Sequence, residues 1–238
     1  MCSCDSRSLL GVGLALPVLV GTRAVLADDD ECVVFDAALQ GAVTPDQALQ
    51  RLMDGNARLL ADKTVNCDLL AQIEATAAGQ APFAAIVGCI DSRVPPELVF
   101  DQRLGSVFAA RIAGNFVNTD IIGSLEFATK VTGAKLVVVL GHSECGAVKG
   151  AIDNVQLGNL TATLGNIWPA VEATTGVAGE RSSKNRAFVQ AVAETNARLA
   201  ARMLLERSPT MSELADAGSL KVVAAMHDVG TGRVMLLG

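Results

Sequence analysis

Apolar residues fall in two rhythms along this chain. Largely apolar runs at 83–87, 107–111, 135–140 and 220–227 have the length of buried strands. The run at 83–87 is bounded by Pro82 and Gly88, and that at 135–140 is almost wholly Val and Leu. Between them, 119–131 repeats apolar residues at helical spacing through Ile121, Ile122, Leu125 and Ala128. Strands separated by helices predict an α/β fold: a central, mainly parallel sheet flanked by helices, joined by right-handed crossovers.

Flanking stretches complete the plan. Thr44-Pro45-Asp46-Gln47 opens a helix with a capping Thr, Pro in the first turn and Gln three residues on. A second helix is expected at 66–78, a helical turn after Pro95-Pro96, and further helices at 161–173, 183–206 and after Ser208-Pro209. Segments 220–227 and 233–237, joined through Gly230-Thr231-Gly232, predict a closing antiparallel hairpin at the sheet edge. Three units follow: a leader at 1–27, an arm at 28–43 without clear period, and a domain at 44–238.

The leader has its own pattern. Arg7 precedes an apolar run from Leu9 to Val20, then Val25-Leu26-Ala27 offers small residues before Asp28-Asp29-Asp30. That order predicts a cleaved secretory signal and a periplasmic or secreted protein. The run is too short for a bilayer, which takes roughly 18 or more apolar residues, so no membrane span is expected after cleavage.

Composition narrows the picture. The 238 residues are 50% hydrophobic but only 3% aromatic, with no Tyr, so Ala, Val, Leu and Ile must build the core. That suits a parallel sheet covered on both faces. A formal charge of −6 without a basic cluster excludes nucleic acid as a partner. Cleavage would remove Cys2 and Cys4 and leave Cys32, Cys67, Cys89 and Cys145. Cys32 and Cys67 could pair in an oxidising compartment, but nothing in the sequence brings them together, and the preferred expectation is two unpaired thiols.

The chemistry lies at two strand ends. Cys89-Ile90-Asp91-Ser92-Arg93 follows the first strand, and His142-Ser143-Glu144-Cys145 follows the third. Ligands of α/β sheets bind beyond the carboxyl ends of strands, so the two half-motifs can meet. Two thiolates and one imidazole suit zinc and leave one tetrahedral corner open. Alternation along the first motif would aim Cys89, Asp91 and Arg93 at one pocket. A phosphatase nucleophile at Cys89 is excluded, because the Arg required six residues on is Pro95. Glu144 is given no role, and His227, expected on an edge strand, is read as structural.

These motifs, with Val94-Pro95-Pro96-Glu97, Arg111-Ile112-Ala113-Gly114-Asn115 and Gly123-Ser124-Leu125-Glu126 between them, resemble the β-class carbonic anhydrases over residues 44 to 237. The resemblance implies reversible hydration of carbon dioxide to bicarbonate and a proton, by hydroxide held on one zinc ion per subunit. Asp91 would accept a hydrogen bond from that hydroxide, with Arg93 orienting Asp91; in the family the same Asp can also swing onto the metal as a ligand. Gln80, Phe108, Ala113 and Phe127 match the family's substrate pocket, which is completed across a subunit interface, implying a homodimer or a tetramer of dimers. Phe127 stands where many relatives carry Tyr. Ile86 replaces the Trp of an inhibitory bicarbonate site found in some bacterial relatives, so that regulation is not expected. Alternatives are hydrolysis of carbonyl sulfide or carbon disulfide on the same fold, or a non-catalytic zinc or bicarbonate binder; the intact Asp91 and Arg93 speak against the last.

Overall fold

The computed structural model of the chain describes residues 32–238. The leader at 1–27 and the first residues of the arm lie outside the described residues. The arm holds a short helix, α1 (Ala37–Ala42), capped by the Asp36 side chain. Helix α2 (Pro45–Leu60) begins with the expected capping box: the Thr44 hydroxyl accepts from Gln47 N at 3.2 Å, and Gln47 Oε1 accepts from Thr44 N at 2.9 Å. Then come α3 (Leu69–Thr76), β1 (Ala84–Gly88), α4 (Pro96–Val99), β2 (Val107–Arg111) and α5 (Thr119–Glu126). The chain continues through β3 (Leu136–His142), α6 (Gly146–Ile152), α7 (Gly158–Gly165), α8 (Trp168–Ala173), α9 (Arg186–Arg207) and α10 (Pro209–Asp216). Strands β4 (Lys221–His227) and β5 (Val234–Leu237) close the sheet.

The sheet order is β2-β1-β3-β4-β5, parallel except for the last, antiparallel pair. This is the α/β arrangement expected from the strand and helix rhythm. Alternation in β1 and β3 sends side chains to both faces, and both are covered. On one face Ala85, Val87, Val137 and Val139 pack with Ile122, Leu125, Ala197, Leu204 and Met211 from α5, α9 and α10. On the other, Ile86, Val138 and Leu140 meet Leu52, Phe83, Val99 and Phe100. A third cluster, with Val148, Ile167, Phe188 and Val192, encloses Cys89 and Cys145 at the carboxyl ends of the strands.

Several expectations change. Cys32 and Cys67 are joined in a disulfide, S–S 2.02 Å, linking the arm to the loop before α3. The expectation of two free thiols fails because proximity between residues 35 positions apart leaves no local pattern. The helix expected at 66–78 starts only at Leu69, since the Asp68 carboxylate caps it by accepting from Leu70 and Ala71 N. The helix expected at 161–173 is two, α7 and α8. Pro169 in the first turn of α8 cannot extend the preceding hydrogen-bond ladder. Likewise 119–131 leaves α-geometry at Phe127 for one wider π turn to Val131, where the Thr129 hydroxyl bonds the Leu125 carbonyl at 2.8 Å. His227 is not on an edge: β4 lies between β3 and β5, and His227 is buried opposite His142.

Candidate metal centre

Register places the two half-motifs together. Gly88 of β1 pairs with Leu140 of β3, so Cys89 and Gly141-His142 emerge side by side. Gly141 permits α9 and β4 to pack closely there: a Cβ at this position would stand 2.6 Å from Met226 Sδ. After His142 the chain reverses through Glu144, whose φ of +57° lies in the left-handed region. Cys145 then sits as the cap residue of α6. Glu144 is held by ion pairs to Lys149 and, at 2.9 Å, to Arg186, which explains how a strained residue without an assigned role is kept in place. The result is one buried group: Cys89 Sγ, Cys145 Sγ and an imidazole nitrogen of His142 all lie within 4.8 Å of one another.

Hydrogen bonding prepares these atoms for a cation. His142 Nδ1 lies 2.9 Å from the Ser143 carbonyl, an acceptor, so the ring proton belongs on Nδ1. Nε2 is left as a buried lone pair without a hydrogen-bond partner. The Cys145 thiol donating to Cys89 holds Cys89 well below the usual thiol range, against burial, and the Gly114 N–H, 3.3 Å from Cys89 Sγ, adds to this. The same shared proton, with burial, pushes Cys145 up. Two sulfurs competing for one proton beside an unused imidazole lone pair are a donor set that zinc satisfies and a proton cannot.

Asp91 stands at the rim of this group. Arg93 grips it with two side-chain bonds, Nε to Oδ1 at 2.9 Å and Nη2 to Oδ2 at 2.7 Å, and with its backbone N at 3.0 Å. Those bonds hold the carboxyl well below the ordinary carboxylate range. Asp91 Oδ2 is 3.9 Å from His142 Nε2. As the alternation predicts, Ile90 points away and is exposed. Arg111, at the end of β2, fixes the loop by donating to the carbonyls of Cys89 at 2.9 Å and Asp91 at 2.6 Å. Its signals in the sequence are a charged residue ending an otherwise apolar strand and its place at the head of the Arg111–Asn115 motif.

The pocket residues divide. Ala113 adjoins Gly114 and hence Cys89. Gln80 lies before the start of β1, at the opposite end of that strand from Cys89, in a shallow depression with Thr76 and Leu104. Phe108 and Phe127 meet edge to face, with ring centroids 6.3 Å apart, in an open cleft of about 760 Å³ along β2 and α5. This cleft holds none of the metal-ligating residues. Phe127 is 50% exposed.

A single-cation site of two thiolates and one imidazole, with a carboxylate–guanidinium pair beside it at the carboxyl end of a parallel sheet, defines a mononuclear zinc enzyme of the α/β class. The sequence profile of the carbonic anhydrase family matches residues 84–234. The chain is 35% identical over 195 residues to carbonic anhydrase 2 of Mycobacterium tuberculosis, covering 81% of this chain and 92% of that protein. It is 34% identical to a carbonic anhydrase of Mycolicibacterium smegmatis, covering 81% and 93%. Among solved structures it resembles a tetrameric β-carbonic anhydrase from Sordaria macrospora, with a TM-score of 0.60 and 29% identity over 70% of this chain and 85% of that one. A β-carbonic anhydrase of Aspergillus fumigatus is similar at a TM-score of 0.60 and 25% identity, over 81% and 89%. The chain belongs to the carbonic anhydrase family, in its zinc-dependent β class.

Proposed function

We propose that this protein catalyses the reversible hydration of carbon dioxide to bicarbonate and a proton. The observation carrying this reading is the convergence of Cys89, His142 and Cys145 with a clamped Asp91 at their edge. Zinc held by the three ligands would act as a Lewis acid that lowers the pKa of water, to about 7 in well-known hydrases, so that hydroxide is available near neutrality. Everything else falls to the chain's own groups. Asp91, kept ionised by Arg93, can only accept hydrogen bonds, and so would orient the nucleophile with its lone pair toward the substrate carbon. Released from Arg93, the same carboxylate, whose Oδ2 lies 3.9 Å from His142 Nε2, would be available as a further ligand that closes the site. The product proton passes to solvent and buffer.

Carbon dioxide is small and uncharged and suits an apolar pocket. Gln80, Phe108 and Phe127 lie away from the ligands of their own chain, which supports a pocket shared between two copies in a homodimer or a tetramer of dimers. There Gln80 of one copy would hold a bicarbonate oxygen at the metal of the other. The leader pattern and the Cys32–Cys67 disulfide together support a periplasmic or secreted enzyme with 1–27 removed. The described residues hold no helix long and apolar enough to cross a membrane.

Metal analysis combined with stopped-flow hydration across pH 6 to 9, a range bracketing the roughly neutral pKa of zinc-activated water, tests the reading. One zinc per chain with catalysis above the buffer rate supports it. Bound zinc without hydration leaves a binding protein, and turnover of carbonyl sulfide exceeding that of carbon dioxide makes it a different hydrolase.

A further inference from the structure

The N–H of Gly114 that reaches Cys89 is itself held from a distance. Gly114 and Asn115 are consecutive left-handed residues, φ +83° and +42°, a loop geometry that the chain does not adopt without support. A Cβ on Gly114 would stand 2.3 Å from Ile167 Cδ1, so a side chain there would displace Ile167 as well as strain the left-handed backbone. The carbonyl of this glycine accepts a hydrogen bond from Asn196 Nδ2 at 2.7 Å. Asn196 is a buried polar residue on α9, 4% exposed. It shares a face of that helix with Ala193 and Ala197, the residues that pack against Gly141 just before His142. Thus α9 touches both halves of the metal-ligand group: the strand end carrying His142, and, through Asn196, the loop donating to Cys89.

We propose that Asn196 is a positioning residue that tunes the metal through sulfur, by holding Gly114 so that its N–H stays bonded to the Cys89 thiolate. This rests on the zinc hydrase reading above. A thiolate that accepts a hydrogen bond gives less charge to its metal. The point matters here because two thiolates neutralise a divalent cation and blunt its ability to acidify water. Asn196 offsets part of that blunting without touching substrate, metal or ligand. Without it the Gly114–Asn115 loop relaxes, Cys89 donates more strongly, and more alkaline conditions are needed for the same activity.

The test compares Asn196→Ala and Asn196→Ser with Thr195→Val, which removes a different hydrogen bond of α9, Thr195 to Thr174 at 3.1 Å. Each protein is prepared with zinc and, as a spectroscopic probe, with cobalt(II). In Asn196→Ala the sulfur-to-cobalt charge-transfer band should move to longer wavelength and the pH midpoint of kcat/KM should rise. Activity at neutral pH should fall by roughly tenfold, the lower end of what losing a group that orients a metal ligand costs. Asn196→Ser, which keeps a shorter donor, should show smaller shifts of the same sign and carries the test if the Ala variant does not fold. Thr195→Val should move neither band nor midpoint. Unshifted bands and midpoints in both Asn196 variants, or equal shifts in Thr195→Val, overturn the inference while leaving the hydrase reading intact. A parent protein that takes up neither metal overturns both.

Discussion

The carboxyl-end pole of the sheet and its β2–α5 flank are built on opposite terms. At the pole, Cys89, His142 and Cys145 are buried and enclosed by α6, α8 and α9 of the same chain, and every loop carrying them is pinned. Along the flank, β2 has no neighbouring strand on its outer side among the described residues and is only partly buried, and Phe108 and Phe127 line an open cleft. A metal site must be pre-formed within one chain, because ligand atoms have to sit within fractions of an ångström of their places. A substrate pocket can be left half-built if a second copy finishes it. An unpaired strand edge beside an exposed aromatic side chain is a surface that natural proteins normally cover.

This contrast can be broken deliberately. Cys145→Ser should strip the pole of zinc and abolish hydration while leaving assembly through the flank intact, read by metal analysis and light scattering. Asp91→Asn removes an acceptor but no buried ligand, so zinc should stay while kcat falls by about 10²–10⁴, the usual worth of a positioned proton acceptor. If both variants lose zinc equally, Asp91 is chiefly a ligand. Phe127→Asp places charge on the flank; it should yield monomers that retain zinc yet lose roughly tenfold or more in activity, since buried aromatic anchors dominate interfaces. Zinc-loaded monomers with full activity would refute the shared pocket.

Smaller effects sharpen the comparison. Replacing Cys32 and Cys67 by Ser should cost about 3–4 kcal/mol of stability for a loop closed over 35 residues, with kcat unchanged, because the staple lies away from both regions. Acidification should separate metal from carboxylate. A carboxyl depressed by Arg93 contributes stability above its unfolded pKa of about 3.9 and loses it only as pH falls through the lower folded value. The thiolates must re-protonate to release zinc, so zinc release during an acid titration should precede loss of the Asp91–Arg93 pair, followed by NMR of the Arg93 side chain.

The metal-ligand group was largely legible in the sequence, and the placement of the pocket residues was not. Strand β2 matches its apolar run residue for residue, and the Thr44–Gln47 capping box forms as written, because both are local patterns. Cys89, His142 and Cys145 were legible because strand ends in a parallel sheet lie at one pole, where the two half-motifs can meet. The Cys32–Cys67 bond, the buried setting of His227 and the grip of Asn196 on Gly114 depend on contacts between distant segments, which no periodicity encodes. Gln80 and Phe127 were recognisable only by resemblance, since within one chain neither approaches the ligands.

The disulfide carries a consequence for turnover of the protein itself. By fastening Cys32 to Cys67 it ties the amino-terminal arm back onto the body of the fold, as a lasso. A degradative machine threading the chain from that end would have to draw two strands through its channel abreast, or wait for a reductant. Exopeptidases trimming inward would halt at the same knot.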